Sequence, residues 1–118
     1  MANEPNLGAF QQIVMLAVLR LDDDAYGARI QEELEETADR RVTISTVYVT
    51  LDRLEGRGLV RSWLGASTPV RGGKSRRFYE VTPAGVRALR DSREVLNRMW
   101  AGTMKMQTSL TSKPRRPT

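Results

Sequence analysis

The 118-residue chain contains no cysteine and no histidine. Disulfides, thiolate nucleophiles and imidazole bases are thereby excluded, and zinc sites lose their two most usual ligands. Carboxylates, Lys, Ser, Thr and Tyr remain for chemistry. Among them stands no Gly-rich phosphate loop, spaced carboxylate pair or nucleophile–base pair. These absences argue against an enzyme, and no metal or other cofactor is expected. Long apolar runs are also missing. The longest spans Ile13 to Leu19, far short of the roughly 20 residues that cross a bilayer. Asn3 and Glu4 supply no basic flank, and no small-residue cleavage pattern follows. Neither a membrane span nor a signal peptide is expected, and the cytoplasm is the expected location. Aromatics are sparse at 6%, too few on the basic face for the base stacking typical of RNA recognition.

What is present fits one folded domain with a modest core. The formal net charge is +5, and it is unevenly placed. Residues 1–39 carry two Arg against nine acids, whereas residues 40–118 carry seventeen Lys or Arg against five acids. A basic second half points to a polyanionic partner. A merely solubilising surface would have the same excess, so position has to decide.

Along the chain, a first helix is expected from about Leu7 to Leu21. Its apolar residues nearly encircle it, so it should be buried on more than one side. Asp22-Asp23-Asp24 interrupts that pattern and offers a cap for a second helix over about Ala25 to Thr37. There Tyr26, Ile30, Leu34 and Ala38 share one face, while Glu32, Glu33, Glu35 and Glu36 crowd the others as a solvated surface. A short β-leaning stretch, Arg40 to Ile44, leads to a third helix that Thr43 or Ser45 can cap and that Gly56 and Gly58 end. Val47, Leu51 and Leu54 form its inward stripe, with Tyr48 at the border. The opposite side (Thr46, Thr50, Arg53 and Arg57, with Val49 beside them) is small, polar and basic.

After Gly58 the period becomes two. Leu59 to Leu64 and Phe78 to Val81 read as strands of a hairpin. The connection between them, Gly65 to Arg77, is long for a hairpin. It holds Arg71, Lys74, Arg76 and Arg77 and no acid. Such a loop can carry cations to a phosphate backbone. Trp63 is read as packing at its base. Thr82 then caps a last helix with Pro83 at its first position. Val86, Leu89, Leu96, Trp100 and Thr103 follow roughly heptad spacing, too one-sided a stripe to be satisfied by a two-stranded hairpin alone. From Thr108 the composition is that of a disordered basic tail.

The resulting fold class is mostly α with a small β-hairpin (α+β): a winged helix-turn-helix with a C-terminal dimerisation helix. The divisions are 7–82 for the winged domain, 83–107 for the dimerisation helix and 108–118 for the tail. In a winged helix-turn-helix the second helix of the pair enters the major groove of double-stranded DNA. Ser45, Thr46, Tyr48, Val49, Thr50 and Arg53 are accordingly the candidate groove contacts. Arg71, Lys74, Arg76 and Arg77 are the candidate phosphate contacts. Phe10, Val14, Leu89, Leu96 and Trp100 are the candidate residues of a dimer interface or ligand pocket. The alternative is a winged-helix protein–protein interaction module, which would need an exposed apolar patch on the third helix or the wing.

One group of motifs is more specific. Leu16-Ala17-Val18-Leu19, Ala25-Tyr26-Gly27, Thr46 to Glu55 and Gly58-Leu59-Val60 occur in that order. Pro69, Arg71 to Tyr79 and Thr82-Pro83-Ala84-Gly85 follow. With this series, residues 7 to 100 resemble the short-chain group of the PadR family of bacterial transcriptional regulators. The resemblance implies a homodimeric repressor on a pseudo-palindromic operator, with its dimer interface built from the first and last helices. It also implies release of DNA by a small hydrophobic or phenolic effector.

Overall fold

A computed structural model describes residues 7–65 and 75–103. Helix α1 spans Ala9–Leu21, α2 Gly27–Ala38, α3 Ile44–Gly56 and α4 Pro83–Trp100; strands β1 (Val60–Leu64) and β2 (Arg77–Val81) lie between α3 and α4. Sequence and structure thus agree on the order of elements. The wing cations Arg71 and Lys74 and the tail lie outside the described residues.

Helix α1 buries Val14, Met15, Ala17, Val18 and Leu21, but Leu16 and Leu19 remain exposed. It is therefore central on one side only. The expected Asp cap for α2 does not form. Asp22 ends α1 with a positive φ of 54° and a ψ of −116°. Asp22–Asp24 then make a 3₁₀ turn, and Tyr26 occupies the N-cap of α2 without a side-chain bond. Asp24 pairs with Arg29 instead.

Helix α2 turns Ile30 and Leu34 into the core. The acids at 32, 35 and 36 are solvated as expected, but Glu33 is not. It is buried, accepting from Arg20 Nε and from Thr37 Oγ1, each at 2.6 Å. The β-leaning stretch forms no strand. Residues 40–43 are an irregular turn, closed where Gln31 Nε2 donates to the Val42 carbonyl at 2.8 Å. Helix α3 begins on the cap predicted for it, with Thr43 Oγ1 accepting from the Thr46 amide at 3.1 Å. Val47, Leu51 and Leu54 are fully buried between α1, α2 and the hairpin. Truncating Leu51 or Leu54 to Ala would cost about 2–5 kcal/mol.

The hairpin is antiparallel, with Val60 opposite Val81 and Trp63 opposite Phe78. Val60 and Tyr79 point into the core. A third short edge joins the sheet where Tyr26 bridges Phe78 and the Tyr79 amide donates to the Ala25 carbonyl at 2.9 Å. Thr82 links the sheet to α4. Its hydroxyl accepts from the Gly85 amide at 3.0 Å and donates to the Gly58 carbonyl at 2.7 Å. Only Gly85 and Leu89 of α4 are buried, so its C-terminal half leaves the core. Among the described residues no helix is long and apolar enough to cross a membrane.

Candidate nucleic-acid interface

The solvent side of α3 is formed by Ser45, Thr46, Tyr48, Val49, Asp52 and Arg53, all exposed. A helix that buries positions 47, 50, 51 and 54 must present these residues outward. Thr46 Oγ1 lies 2.9 Å from Thr43 Oγ1, which steadies it beside the cap. Tyr48 projects at 41% exposure and lies against the start of α2. A Cβ on Gly27 would stand 2.4 Å from its hydroxyl oxygen. Glycine at this position is what lets the tyrosine ring lie on the α2 backbone.

Thr50, expected on this outer side, faces inward. It is buried, and its hydroxyl donates to the Thr46 carbonyl at 2.9 Å, which removes it from contact with an external partner. Arg57 also departs from the expected face, turning towards α1 with Nη1 3.2 Å from Gln11 Oε1.

Two cations of the hairpin root, Arg76 and Arg77, are exposed and take different partners. Arg76 lies with its guanidinium carbon 4.3 Å from the ring centroid of Tyr26, the residue preceding Gly27. Arg77 Nη1 donates to Ser62 Oγ at 3.0 Å, and Ser62 in turn donates to the Glu55 carboxylate near the end of α3. Trp63 stacks on Phe78 with ring centroids 6.3 Å apart, the packing role anticipated for it.

The candidate dimer residues separate into two groups. Val14 and Leu89 are buried in the chain's own core, and Phe10 packs against that core, half-buried. These three are therefore occupied within one chain, Val14 wholly so. Leu96 and Trp100 are exposed on α4, joined by Val95 and Met99. Val95 escaped the sequence reading because it falls outside the heptad positions. Between α1 and α4 runs a groove of about 570 Å³, with Leu7, Leu59, Ala88, Val95 and Leu96 among its lining residues.

Three helices, a hairpin packed on the third of them and an exposed, largely polar outer face on that helix define a winged helix-turn-helix protein. Residues 15–91 match the transcriptional regulator PadR-like family, and the chain belongs to that family, whose members are regulators rather than enzymes. It is 38% identical over 78 residues to the transcriptional regulator Rv3488 of Mycobacterium tuberculosis, covering 66% of this chain and 68% of the relative. Its fold is similar to that of a PadR-like transcription factor from Bacteroides fragilis (TM-score 0.68, 25% identity, 82% of this chain and 88% of the other). A PadR family regulator from Eggerthella lenta is also similar (TM-score 0.63, 27% identity, 81% of each chain).

Proposed function

We propose that the protein is a sequence-specific DNA-binding repressor that holds a pseudo-palindromic operator as a homodimer. The observation that carries this reading is the exposed outer row of α3, Ser45, Thr46, Tyr48, Val49 and Arg53, together with the exposed cations Arg76 and Arg77 at the hairpin root. Hydroxyls, a small apolar group and a guanidinium are what base edges and thymine methyls accept in the major groove. Cations beside them serve phosphates, which position the protein without reading sequence. The exposed acids of α3 are Asp52 and Glu55, and the Glu55 carboxylate accepts from the Ser62 amide and hydroxyl.

The dimer is supported by α4. Val95, Leu96, Met99 and Trp100 expose a continuous apolar strip on a helix that leaves its own core after Leu89. Covering such a strip with its copy is the usual outcome for a symmetric oligomer. Two recognition helices spaced by about 34 Å would then meet successive turns on one DNA face. A small hydrophobic or phenolic effector would act at the subunit boundary beside Trp100, changing that spacing.

Fluorescence anisotropy with duplex from the chain's own upstream region tests the reading. Tight binding is expected, falling with salt at a log–log slope of about −0.9 per neutralised phosphate. Equal affinity for that region and for random duplex at moderate salt would remove the sequence-specific reading.

A further inference from the structure

The hairpin root carries an arrangement that groove contact alone does not require. Three aromatic rings run in contact from the hairpin to the bridging Tyr26. Trp63 stacks on Phe78 at an interplanar angle of 21°, and Phe78 meets Tyr26 edge-on with centroids 5.7 Å apart. The guanidinium of Arg76 closes the series over the Tyr26 ring. The backbone is fixed at the same point, since the Gly65 amide donates to the Arg76 carbonyl at 2.6 Å. A Cβ at Gly65 would stand 2.5 Å from the Phe78 ring, so glycine is what allows that ring to cross the root. Main chain and side chain of Arg76 are thus both held before any partner arrives.

We propose that Tyr26 is a positioning residue for DNA binding, its ring holding the Arg76 guanidinium with the N–H edge free to meet a backbone phosphate. The proposal rests on the DNA-binding reading above and deepens it. A guanidinium drawn to a ring face by cation–π attraction still has N–H donors for a second partner. An arginine ordered in advance loses less rotamer freedom on contact, which is worth about 3- to 10-fold in affinity for one long side chain. Tyr26 also adjoins Gly27, against which Tyr48 of α3 packs. Through Tyr26 and Gly27, the residue that holds the guanidinium is linked to the residue on which an exposed ring of α3 packs.

The test uses the full chain and a labelled upstream duplex, with Tyr26→Phe, Tyr26→Leu, Arg76→Ala, Arg76→Lys and the double variant Tyr26→Leu/Arg76→Ala. Tyr26→Phe keeps the ring face and should bind like the wild type. Tyr26→Leu should lose about 3- to 10-fold, and nothing further in the Arg76→Ala background. Arg76→Lys, an exposed change that spares the fold, should also weaken binding, because an ammonium keeps the charge without the planar stack. The inference is overturned if Tyr26→Leu binds like the wild type or weakens Arg76→Ala to the same extent. Equal loss in Tyr26→Phe, or full affinity in Arg76→Lys, overturns it as well. The Arg76 side-chain proton shifts in the free protein give an independent readout. Ring current should move them upfield in wild type and Tyr26→Phe but not in Tyr26→Leu. No duplex binding by the wild type would defeat the DNA reading and this inference together. Absence of the upfield shift in a DNA-binding wild type would defeat this inference alone.

Discussion

Replacing Gly27 with Ala probes the contact between α2 and the outer face of α3. The new Cβ would stand 2.4 Å from the Tyr48 hydroxyl oxygen, 2.6 Å from Cζ and 2.8 Å from Cε1. Ordinary contacts lie at about 3.5–4.0 Å, so the ring must retreat by roughly 1 Å. It has room to do so, because the clash is with the far end of a half-exposed side chain and not with backbone. An off-rotamer swing costs about 0.5–1.5 kcal/mol, and because Gly27 is the first residue of α2 the exchange recovers less than the roughly 0.5–1 kcal/mol of a helix interior. Stability should therefore fall by no more than about 1.5 kcal/mol, or roughly 6 °C in the melting temperature. Binding should change more. A tyrosine moved off the interface forfeits a hydrogen bond worth about 1.5–3 kcal/mol when its acceptor is a charged phosphate, which is about 10- to 150-fold in Kd. Thermal melts at one fixed protein concentration, beside anisotropy titrations on one duplex, separate the two effects. A large fall in melting temperature with unchanged affinity would refute the argument, since Tyr48 would then be a structural ring with no partner outside the fold.

Arg53→Ala should lower affinity for the specific duplex about 10-fold and relax sequence preference, with much less change on random duplex, checked by parallel titrations on both. Glu33 is held below its usual 4.5, chiefly by the Thr37 hydroxyl and next by Arg20. Its contribution to stability is present above that value and is lost as the pH falls through the lower folded-state value. Calorimetry should accordingly find Glu33→Gln melting below the wild type at pH 7, with the gap closing in acid; a constant gap would contradict the assignment. Burial pushes the Tyr79 phenol up from 10.0 to about 12. The unfolded chain ionises first, so stability should decline between those two values, and Tyr79→Phe should flatten that alkaline limb in melts. Trp100→Glu with Met99→Lys places charge on the exposed strip of α4; sedimentation should report a halved mass with the circular dichroism of each chain kept.

The parts of this fold that were legible in the sequence are those set by near neighbours. Thr43 and Thr82 cap their helices because a hydroxyl three residues before an amide needs no distant help. The stripe Val47, Leu51, Leu54 follows from helical period alone. The failures have longer-range causes. Thr50 looked polar and therefore outward, yet its hydroxyl satisfies itself on Thr46 and the side chain can be buried without an orphaned donor. Glu33 looked like one of four surface acids, but Arg20 on a different helix meets it. Val14 and Leu89 are apolar at the right spacing, and spacing cannot distinguish a chain's own core from a partner's surface. The Arg76–Tyr26 stack joins residues from opposite ends of the winged domain, a proximity that no local pattern encodes.

The short sheet edge at Ala25 and Tyr26 also bears on how the molecule comes to exist. Its partners, Phe78 and Tyr79, lie on the last strand, after all of α2, α3 and β1 have been made. The three helices can gather early, since their contacts are nearby in sequence, but the start of α2 lacks its hydrogen bond and its aromatic neighbour until β2 docks. During synthesis, a chain cut before Tyr79 would lack the Tyr79 ring in its core and leave the Ala25 carbonyl without its partner. The helix-turn-helix of this protein is therefore not a portable module. The start of its second helix is completed by β2, so a chain that ends before Tyr79 leaves that helix start without its strand partner.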